Sequence, residues 1–152
     1  MTPDLDDALA TLLTVGKEAG SVAHERFGAV HAGDVQFKSD VDLVTRTDFD
    51  IQALLEERLR SAFPTAVFVG EEGPESGSDT GPSPAASGNA SADVLLVDPL
   101  DGTANFVHGI PYYSISLALL RSGAPVVGVV VAPELQRVYA ARLGGGAFCN
   151  GE

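Results

Sequence analysis

The chain has 152 residues, enough for one ordinary domain with a substantial core. Hydrophobic residues make up 45% of the sequence and charged residues 20%, which is typical of a globular protein rather than a disordered one. The net charge of −12 argues against nucleic acid or an anionic membrane as a partner, and no apolar run approaches the roughly 20 residues of a membrane-spanning helix. A single cysteine, Cys149, and an acidic N-terminus unlike a signal peptide indicate a cytoplasmic protein.

A first helix is predicted close to the N-terminus. Thr2 is a suitable N-cap, Pro3 fits the first helical position, and Asp4 favours the positive end of the helix. Gly28 marks the end of the helical pattern. The apolar residues between these limits recur at helical spacing and are Leu5, Leu9, Leu12, Ala19, Val22, Ala23 and Phe27.

A second helix follows the short extended stretch "DVQFK" at 34–38. It is expected to begin near Thr47, so that Asp48 lies in its first turn, beside backbone N–H groups that have no partner within the helix. Pro64 lies beyond its end. The apolar face of this helix is predicted to consist of Ile51, Leu54, Leu55 and Leu59.

Strand patterns dominate the rest of the chain. "TAVFVG" at 65–70 predicts a short buried strand, and "VLLV" at 94–97 predicts another. Three further runs indicate an antiparallel meander, namely "YYSISLALL" at 112–120, "APVVGVVVA" at 124–132 and "QRVYAAR" at 136–142. "GGGAFCNG" at 144–151 is expected to close the chain as a glycine-rich turn. Residues 73–92, rich in Gly, Ser, Pro and Ala, predict a mobile loop within one domain over 1–152.

Acidic side chains follow two of the predicted strands. Glu71 and Glu72 come directly after "VFVG", and Asp98 and Asp101 come directly after "VLLV". If these strands are neighbours in one sheet, the four carboxylates meet at one edge, where they repel each other unless a cation lies between them. Mg²⁺ prefers such oxygen ligands and keeps positions open for water and phosphate. The pattern therefore predicts a divalent-metal site.

The residues around the second acidic pair suit the same chemistry. The loop exposes the Leu100 carbonyl as a further oxygen ligand, and Gly102 lets the backbone approach a bound group closely. Thr103 places a hydroxyl beside the metal site, where it would orient a water molecule. If a helix begins there, its N–H groups face a phosphate.

Other interpretations compete with this one. Asp, Pro and Gly are ordinary turn residues, so "DPLDG" at 98–102 alone is equally consistent with a turn. Haloacid-dehalogenase phosphatases use Asp-x-Asp-Gly-Thr with the first Asp as nucleophile, but this chain has one residue more between its aspartates. A calcium loop is disfavoured because position 100 is Leu and no Glu follows at the required spacing.

Four segments in this order resemble the inositol monophosphatase family of Mg²⁺-dependent, lithium-sensitive phosphatases. They are "DLVTRTD" at 42–48, "GEE" at 70–72, "DPLDGTANFVHGIPYYSISLAL" at 98–119 and "GGGAFCNG" at 144–151. The resemblance implies a layered α/β fold in which two N-terminal helices pack on a mostly antiparallel sheet. It also implies a cytoplasmic hydrolase that removes phosphate from a small alcohol by direct attack of metal-activated water, with Mn²⁺ able to replace Mg²⁺, and a homodimeric complete protein.

The same resemblance implies roles for individual residues. The metal ligands would be Glu71, Asp98, the Leu100 carbonyl and Asp101. Thr103 and Asp48 would form the catalytic pair that activates water, with Glu72 supporting the metal site. The substrate would be bound by Leu100, Asp101, Gly102 and Thr103, the last two through backbone N–H groups to the phosphate.

One departure from the family concerns length. Members of the family continue beyond the "GAFCNG" turn into a second α/β layer with a further metal-binding aspartate, whereas this sequence stops at Glu152 and contains no Trp. The expectation is therefore an N-terminal part that is inactive by itself. The alternative is a non-catalytic metal-binding half-domain or partner module. The substrate stays open among an inositol phosphate, fructose bisphosphate, histidinol phosphate and a nucleotide bisphosphate.

Overall fold

The computed structural model describes residues 4–29, 33, 35–37, 43–71 and 92–152. The predicted loop at 73–92 lies outside the described residues except for its last position, as do Glu72 and the proposed cap Thr2. The elements, in chain order, are α1 (Leu5–Arg26), β1 (Val35–Phe37), β2 (Leu43–Thr45), α2 (Arg46–Ala62), β3 (Val67–Gly70), β4 (Val94–Asp101), α3 (Thr103–Val107), β5 (Ser114–Arg121), β6 (Ala124–Ala132), β7 (Arg137–Arg142) and β8 (Gly146–Cys149).

Six strands form one sheet in the order β3-β4-β5-β6-β7-β8. Strands β3 and β4 are parallel, and every other neighbouring pair in this sheet is antiparallel. Helices α1 and α2 pack against each other and against the sheet, and β1 pairs with β2 in a separate antiparallel ribbon. The predicted layered fold and the predicted meander of β5, β6 and β7 are confirmed.

Helix α1 lies across the middle of the sheet. Its N-cap is Asp4, whose side chain accepts a hydrogen bond from the backbone N–H of Asp6 at 2.8 Å, so the assignment of Thr2 as the cap is wrong. The helix ends at Arg26, close to the predicted stop at Gly28. Of its predicted apolar residues, Leu12, Ala19 and Ala23 are fully buried, and the others pack against the core at its margin.

Helix α2 carries the clearest apolar face. It begins at Arg46 with Thr45 as its N-cap, one residue before the predicted start. Ile51, Leu55 and Leu59 are all completely buried. They share one core with the buried residues of β4, β5 and β6, which are Leu95, Val97, Ile115, Leu117, Leu119, Val127, Val129 and Val131. No helix in the described part of the chain is long and apolar enough to cross a membrane.

Two of the strand predictions need correction. "TAVFVG" forms β3 as expected, but this strand lies at the edge of the sheet and is half-buried along its whole length rather than buried. The glycine-rich segment predicted as a closing turn forms β8 over Gly146–Cys149, paired with β7. The sequence did not predict β8 because this edge strand buries few side chains and its glycines are typical of a loop.

A hydrogen-bonded chain ties α1 to the start of β5. The hydroxyl of Tyr113 donates to Glu134 Oε1 at 2.8 Å, and Nδ1 of His24, in the last turn of α1, lies 2.8 Å from the same oxygen. The ring of Tyr113 also packs edge-on against Phe106, with the ring centroids 4.9 Å apart. Burial, followed by the Glu134 hydrogen bond and charge, raises the pKa of Tyr113, so this residue stays a neutral donor.

Substitution of Leu55 by Ala should destabilise the protein strongly because Leu55 is completely buried between α2 and the sheet. We expect a loss of about 2–5 kcal/mol in the free energy of unfolding, measured by urea denaturation. Leu54→Ala is the matched control, because Leu54 is the adjacent leucine but only borders the core. Equal losses for the two variants would show that the packing face of α2 is assigned wrongly.

Candidate metal and phosphate site

Three of the predicted acidic residues, Glu71, Asp98 and Asp101, meet at one end of the sheet, and the fourth, Glu72, lies outside the described residues. Gly70 pairs with Val97 in the parallel β3–β4 ladder, so Glu71 and Asp98 follow at the same level. The backbone N–H of Glu71 donates to the Val97 carbonyl at 3.1 Å, which continues the ladder past the end of β3. The expectation that these two strands are neighbours is confirmed. Glu71 is exposed, whereas Asp98 is half-buried.

The carboxyl groups of Glu71 and Asp98 are hydrogen-bonded to each other. Two carboxylates cannot form that bond unless one of them holds a proton. Burial of Asp98, its hydrogen bond with Glu71, and the negative charges of Glu71 and Asp101 together raise the pKa of Asp98 to about 8. Without a cation, the crowding of these carboxyl groups therefore favours a bound proton.

A β-bulge brings Asp98 and Asp101 to the same face of the sheet. Asp98 pairs with Ser116 and Asp101 pairs with Ser114, so three steps along β4 match two steps along β5. In a regular strand, residues three apart point to opposite faces. Because the partners of these two aspartates are two residues apart on β5, the aspartates share a face. This bulge was not predicted, although a proline within a strand, here Pro99, often marks a β-bulge.

Asp48 is held at the N-terminus of α2 by a capping box. The Thr45 backbone N–H donates to Asp48 Oδ2 at 2.8 Å, and the Thr45 hydroxyl contacts the same oxygen. In return, the Asp48 N–H donates to the Thr45 hydroxyl at 3.4 Å. Burial raises the pKa of Asp48, and the hydrogen bonds from Thr45 and Thr103 oppose that rise. The sequence analysis did not identify Thr45 as the buried N-cap of α2, although "TRTD" at 45–48 has the spacing of a capping box.

Thr103 connects Asp48 to the bulged strand. Its hydroxyl lies 2.8 Å from Asp48 Oδ1 and 2.9 Å from the Leu100 carbonyl oxygen, and its single proton bonds one acceptor at a time. The hydroxyl oxygen keeps lone pairs for another donor, such as a water molecule. The structure thus places Thr103 beside Asp48, which lies 55 residues earlier in the chain.

Gly102 lies immediately before α3, at a position that only glycine fits. It is the N-cap of this five-residue helix and has a left-handed conformation, with φ at 88°. A Cβ atom there would lie 3.1 Å from the Tyr112 carbonyl oxygen, so both the conformation and the space require glycine. A helix does begin at Thr103, which is the condition that the sequence analysis set for N–H groups facing a phosphate.

The donor chemistry suits a hard divalent cation. All the candidate ligands are oxygens, and the shared proton between Glu71 and Asp98 marks a place where positive charge is favourable. The described residues contain no group of three His, Cys, Asp or Glu side chains already arranged as a metal site. Glu71, Asp98, Asp101 and the Leu100 carbonyl are thus near one another without forming a closed ligand cage.

Two curated relatives match nearly the whole chain. Inositol monophosphatase 2 of Solanum lycopersicum is 36% identical over 151 residues, which is 97% of this chain and 53% of that protein. Inositol-1-monophosphatase of Rhizobium meliloti is 41% identical over 133 residues, 88% of this chain and 46% of that protein. The chain spans about half the length of the curated relatives it matches.

Solved structures share the fold over the same extent. The Thermotoga maritima IMPase superposes with a TM-score of 0.79 at 34% identity, covering 96% of this chain and 52% of that one. An IMPase/NADP phosphatase crystallised with NADP and Ca²⁺ has a TM-score of 0.81 at 26% identity, covering 99% and 53%. Residues 4–152 match the sequence profile of the inositol monophosphatase family. On the evidence of this profile, the relatives and the fold, the chain belongs to the inositol monophosphatase family.

Proposed function

We propose that the protein is a divalent-metal-dependent phosphomonoesterase that hydrolyses the phosphate of a small sugar, inositol or related alcohol. The observation that carries this proposal is the pair of hydrogen-bonded carboxyls, Glu71 and Asp98, beside the Thr103–Asp48 hydrogen bond. The carboxyl groups of Glu71 and Asp98 would attract a cation. The Thr103 hydroxyl and the buried Asp48 carboxylate would bind a water molecule. Relatives named as inositol monophosphatases support the reaction class.

Glu71, Asp98, Asp101 and the Leu100 carbonyl would hold the metal. Mg²⁺ is the proposed ion and Mn²⁺ its substitute, and the Ca²⁺ in the related IMPase/NADP phosphatase supports a divalent cation in this family. When bound, such an ion lowers the pKa of a coordinated water molecule and offsets the charge of the phosphate. Glu72 would support this metal site.

Thr103 and Asp48 would handle the attacking water. A water molecule can donate a hydrogen bond to the Thr103 hydroxyl oxygen while that hydroxyl donates to Asp48 Oδ1. Asp48 would then act as the final acceptor along this chain of hydrogen bonds. Because Asp48 is fixed by Thr45 and by α2, the water would be held in one direction relative to the phosphate.

Gly102 and Thr103 would bind the phosphate through their backbone N–H groups, with Asp101 and the Leu100 carbonyl beside it. The left-handed conformation of Gly102 starts α3 directly after β4, and the first N–H groups of that helix have no partner within it. We further propose a lithium-sensitive cytoplasmic enzyme that acts as a homodimer when complete. The candidate substrates are an inositol phosphate, fructose bisphosphate, histidinol phosphate and a nucleotide bisphosphate.

Mg²⁺ should raise the melting temperature of the protein, because a cation between Glu71 and Asp98 replaces their shared proton. At 100 times the dissociation constant, the expected stabilisation is about 2.7 kcal/mol. Thermal melts with and without millimolar Mg²⁺ measure the effect, and Asp98→Asn should abolish it. Identical melts of the wild-type protein with and without Mg²⁺ would contradict the proposed metal site.

In the complete protein, replacement of Thr103 by Ala should lower kcat by roughly 10²-fold, with a smaller change in KM, because the variant loses the hydroxyl that orients the water. Phosphate release from inositol 1-phosphate, fructose bisphosphate, histidinol phosphate and a nucleotide bisphosphate measures the activity. Thr103→Ser is the matched control, since it keeps the hydroxyl. Metal binding without turnover of any of these esters by the complete wild-type protein would favour the non-catalytic metal-binding module.

The stability of the metal-free protein should fall as pH rises towards 8. The pKa of Asp98 is about 8 in the folded protein and close to 4 in the unfolded chain, so between these values the folded state binds the extra proton. That stabilising contribution is complete below about pH 4 and is lost as the pH rises through the folded pKa. Urea denaturation at several pH values in the presence of a chelator measures the slope. The slope should be smaller in Asp98→Asn, and an equal slope in that variant would refute the assignment to Asp98.

A further inference from the structure

Gln52 lies one helical turn after Asp48 on α2. Residues four apart occupy the same face of a helix, so Gln52 follows Asp48 along the side of α2 that faces the candidate site. It is half-buried, between the completely buried Ile51 and the exposed Ala53. The proposed reaction assigns no role to this side chain.

The carboxamide of Gln52 packs directly on the backbone of Gly70. A Cβ atom added to residue 70 would lie 2.6 Å from Gln52 Cδ and 3.0 Å from Nε2, and closer still to Oε1. Gly70 is not among the glycines with a positive φ, so its backbone conformation would accept other residues. A side chain at position 70 would therefore displace the carboxamide of Gln52.

Gly70 is the last residue of β3, and Glu71 is next to it. The position of Glu71 is fixed on one side by its N–H bond of 3.1 Å to the Val97 carbonyl. Gln52 contacts Gly70, the residue immediately before Glu71. Helix α2 thus touches both parts of the site, through Asp48 at Thr103 and through Gln52 at the strand that carries Glu71.

We propose that Gln52 is a positioning residue that sets the place of Glu71 relative to Asp48, and that Gly70 is its partner. This inference rests on the proposed function, in which Glu71 is a metal ligand. A carboxamide suits the role because it offers a polar contact and adds no charge to a group of carboxylates that already repel each other. Residues that support metal ligands in this way typically contribute 10–100-fold to metal affinity.

The test is a double-mutant cycle on Mn²⁺ affinity, measured by calorimetry and by electron paramagnetic resonance of free Mn²⁺. Gln52→Ala removes the contact, and Gly70→Ala pushes the flexible end of Gln52 away, so each should weaken Mn²⁺ binding about tenfold. Because both act through one contact, the double variant should be no weaker than the weaker single variant. Gln52→Glu, which keeps the length and the oxygen, should retain more Mn²⁺ affinity than Gln52→Ala.

Glu56→Ala is the matched control, since Glu56 lies one turn further along α2 and pairs with Arg60 at 2.7 Å. It should leave Mn²⁺ affinity unchanged. Unchanged Mn²⁺ affinity in Gln52→Ala, additive effects in the double variant, or a metal-free melting temperature that falls in proportion to affinity would overturn the proposal. If the wild-type protein itself binds no Mn²⁺, the proposed function fails; if only the variants behave otherwise than expected, the role of Gln52 alone is refuted.

Discussion

Strands β3 and β4 run in the same direction, although all other neighbours in the six-stranded sheet are antiparallel. Because of this one parallel pair, the residues that follow β3 and the acidic end of β4 emerge at the same edge. An antiparallel β3 would have delivered Glu71 to the opposite end of β4, beside Val94. The meeting of Glu71 with Asp98, and with it the chemistry of the site, depends on this pairing.

The two kinds of carboxyl group in the site are controlled by different physical means. Asp98 is crowded by Glu71 and Asp101, and the resulting repulsion is relieved by a proton or by a cation. Asp48 is more deeply buried, but it lies at a helix N-terminus and accepts hydrogen bonds from Thr45 and Thr103. Asp98 can thus exchange a proton for a cation, whereas Asp48 is held in place by its hydrogen bonds. This difference fits the proposed function, in which Asp98 would bind the metal and Asp48 would act through Thr103 on a water molecule.

The sequence predicted most of the fold because its periodic patterns are strong. The apolar face of α2 repeats at helical spacing, and the runs of β5, β6 and β7 are separated by short turns, so local pattern and tertiary packing agree. The edge strand β8 was missed because its residues bury little and its glycines resemble a loop. The N-cap Asp4 was misassigned in favour of Thr2 because both residue types are good caps and the choice between them is local geometry.

The candidate site was predicted in part. The motifs after β3 and β4 predicted that acidic residues converge, and the pairing of these strands confirms this for Glu71 and Asp98. The roles of these residues, of Gly102 and of Thr103 stay predictions. The contacts of Thr45 with Asp48 and of Gln52 with Gly70 were not found. They join residues that look like ordinary helix residues in the sequence, and they become evident when α2 is packed against the sheet.

The bulge in β4 also determines how the strand can pair while the protein folds. In an unbulged ladder, the carboxylate of Asp101 would turn towards the helices and the side chain of Leu100 towards the opposite face. In the observed pairing, Leu100 is 2% exposed within the core and Asp101 is exposed. The competing register would therefore bury a charge and release a leucine at once, and both changes are unfavourable. Pro99 disfavours it further, since it has no N–H to complete a regular ladder. The order Asp-Pro-Leu-Asp therefore favours the observed, bulged register of β4 and disfavours the regular one, so the same four residues that carry the candidate ligands also determine how the strand aligns.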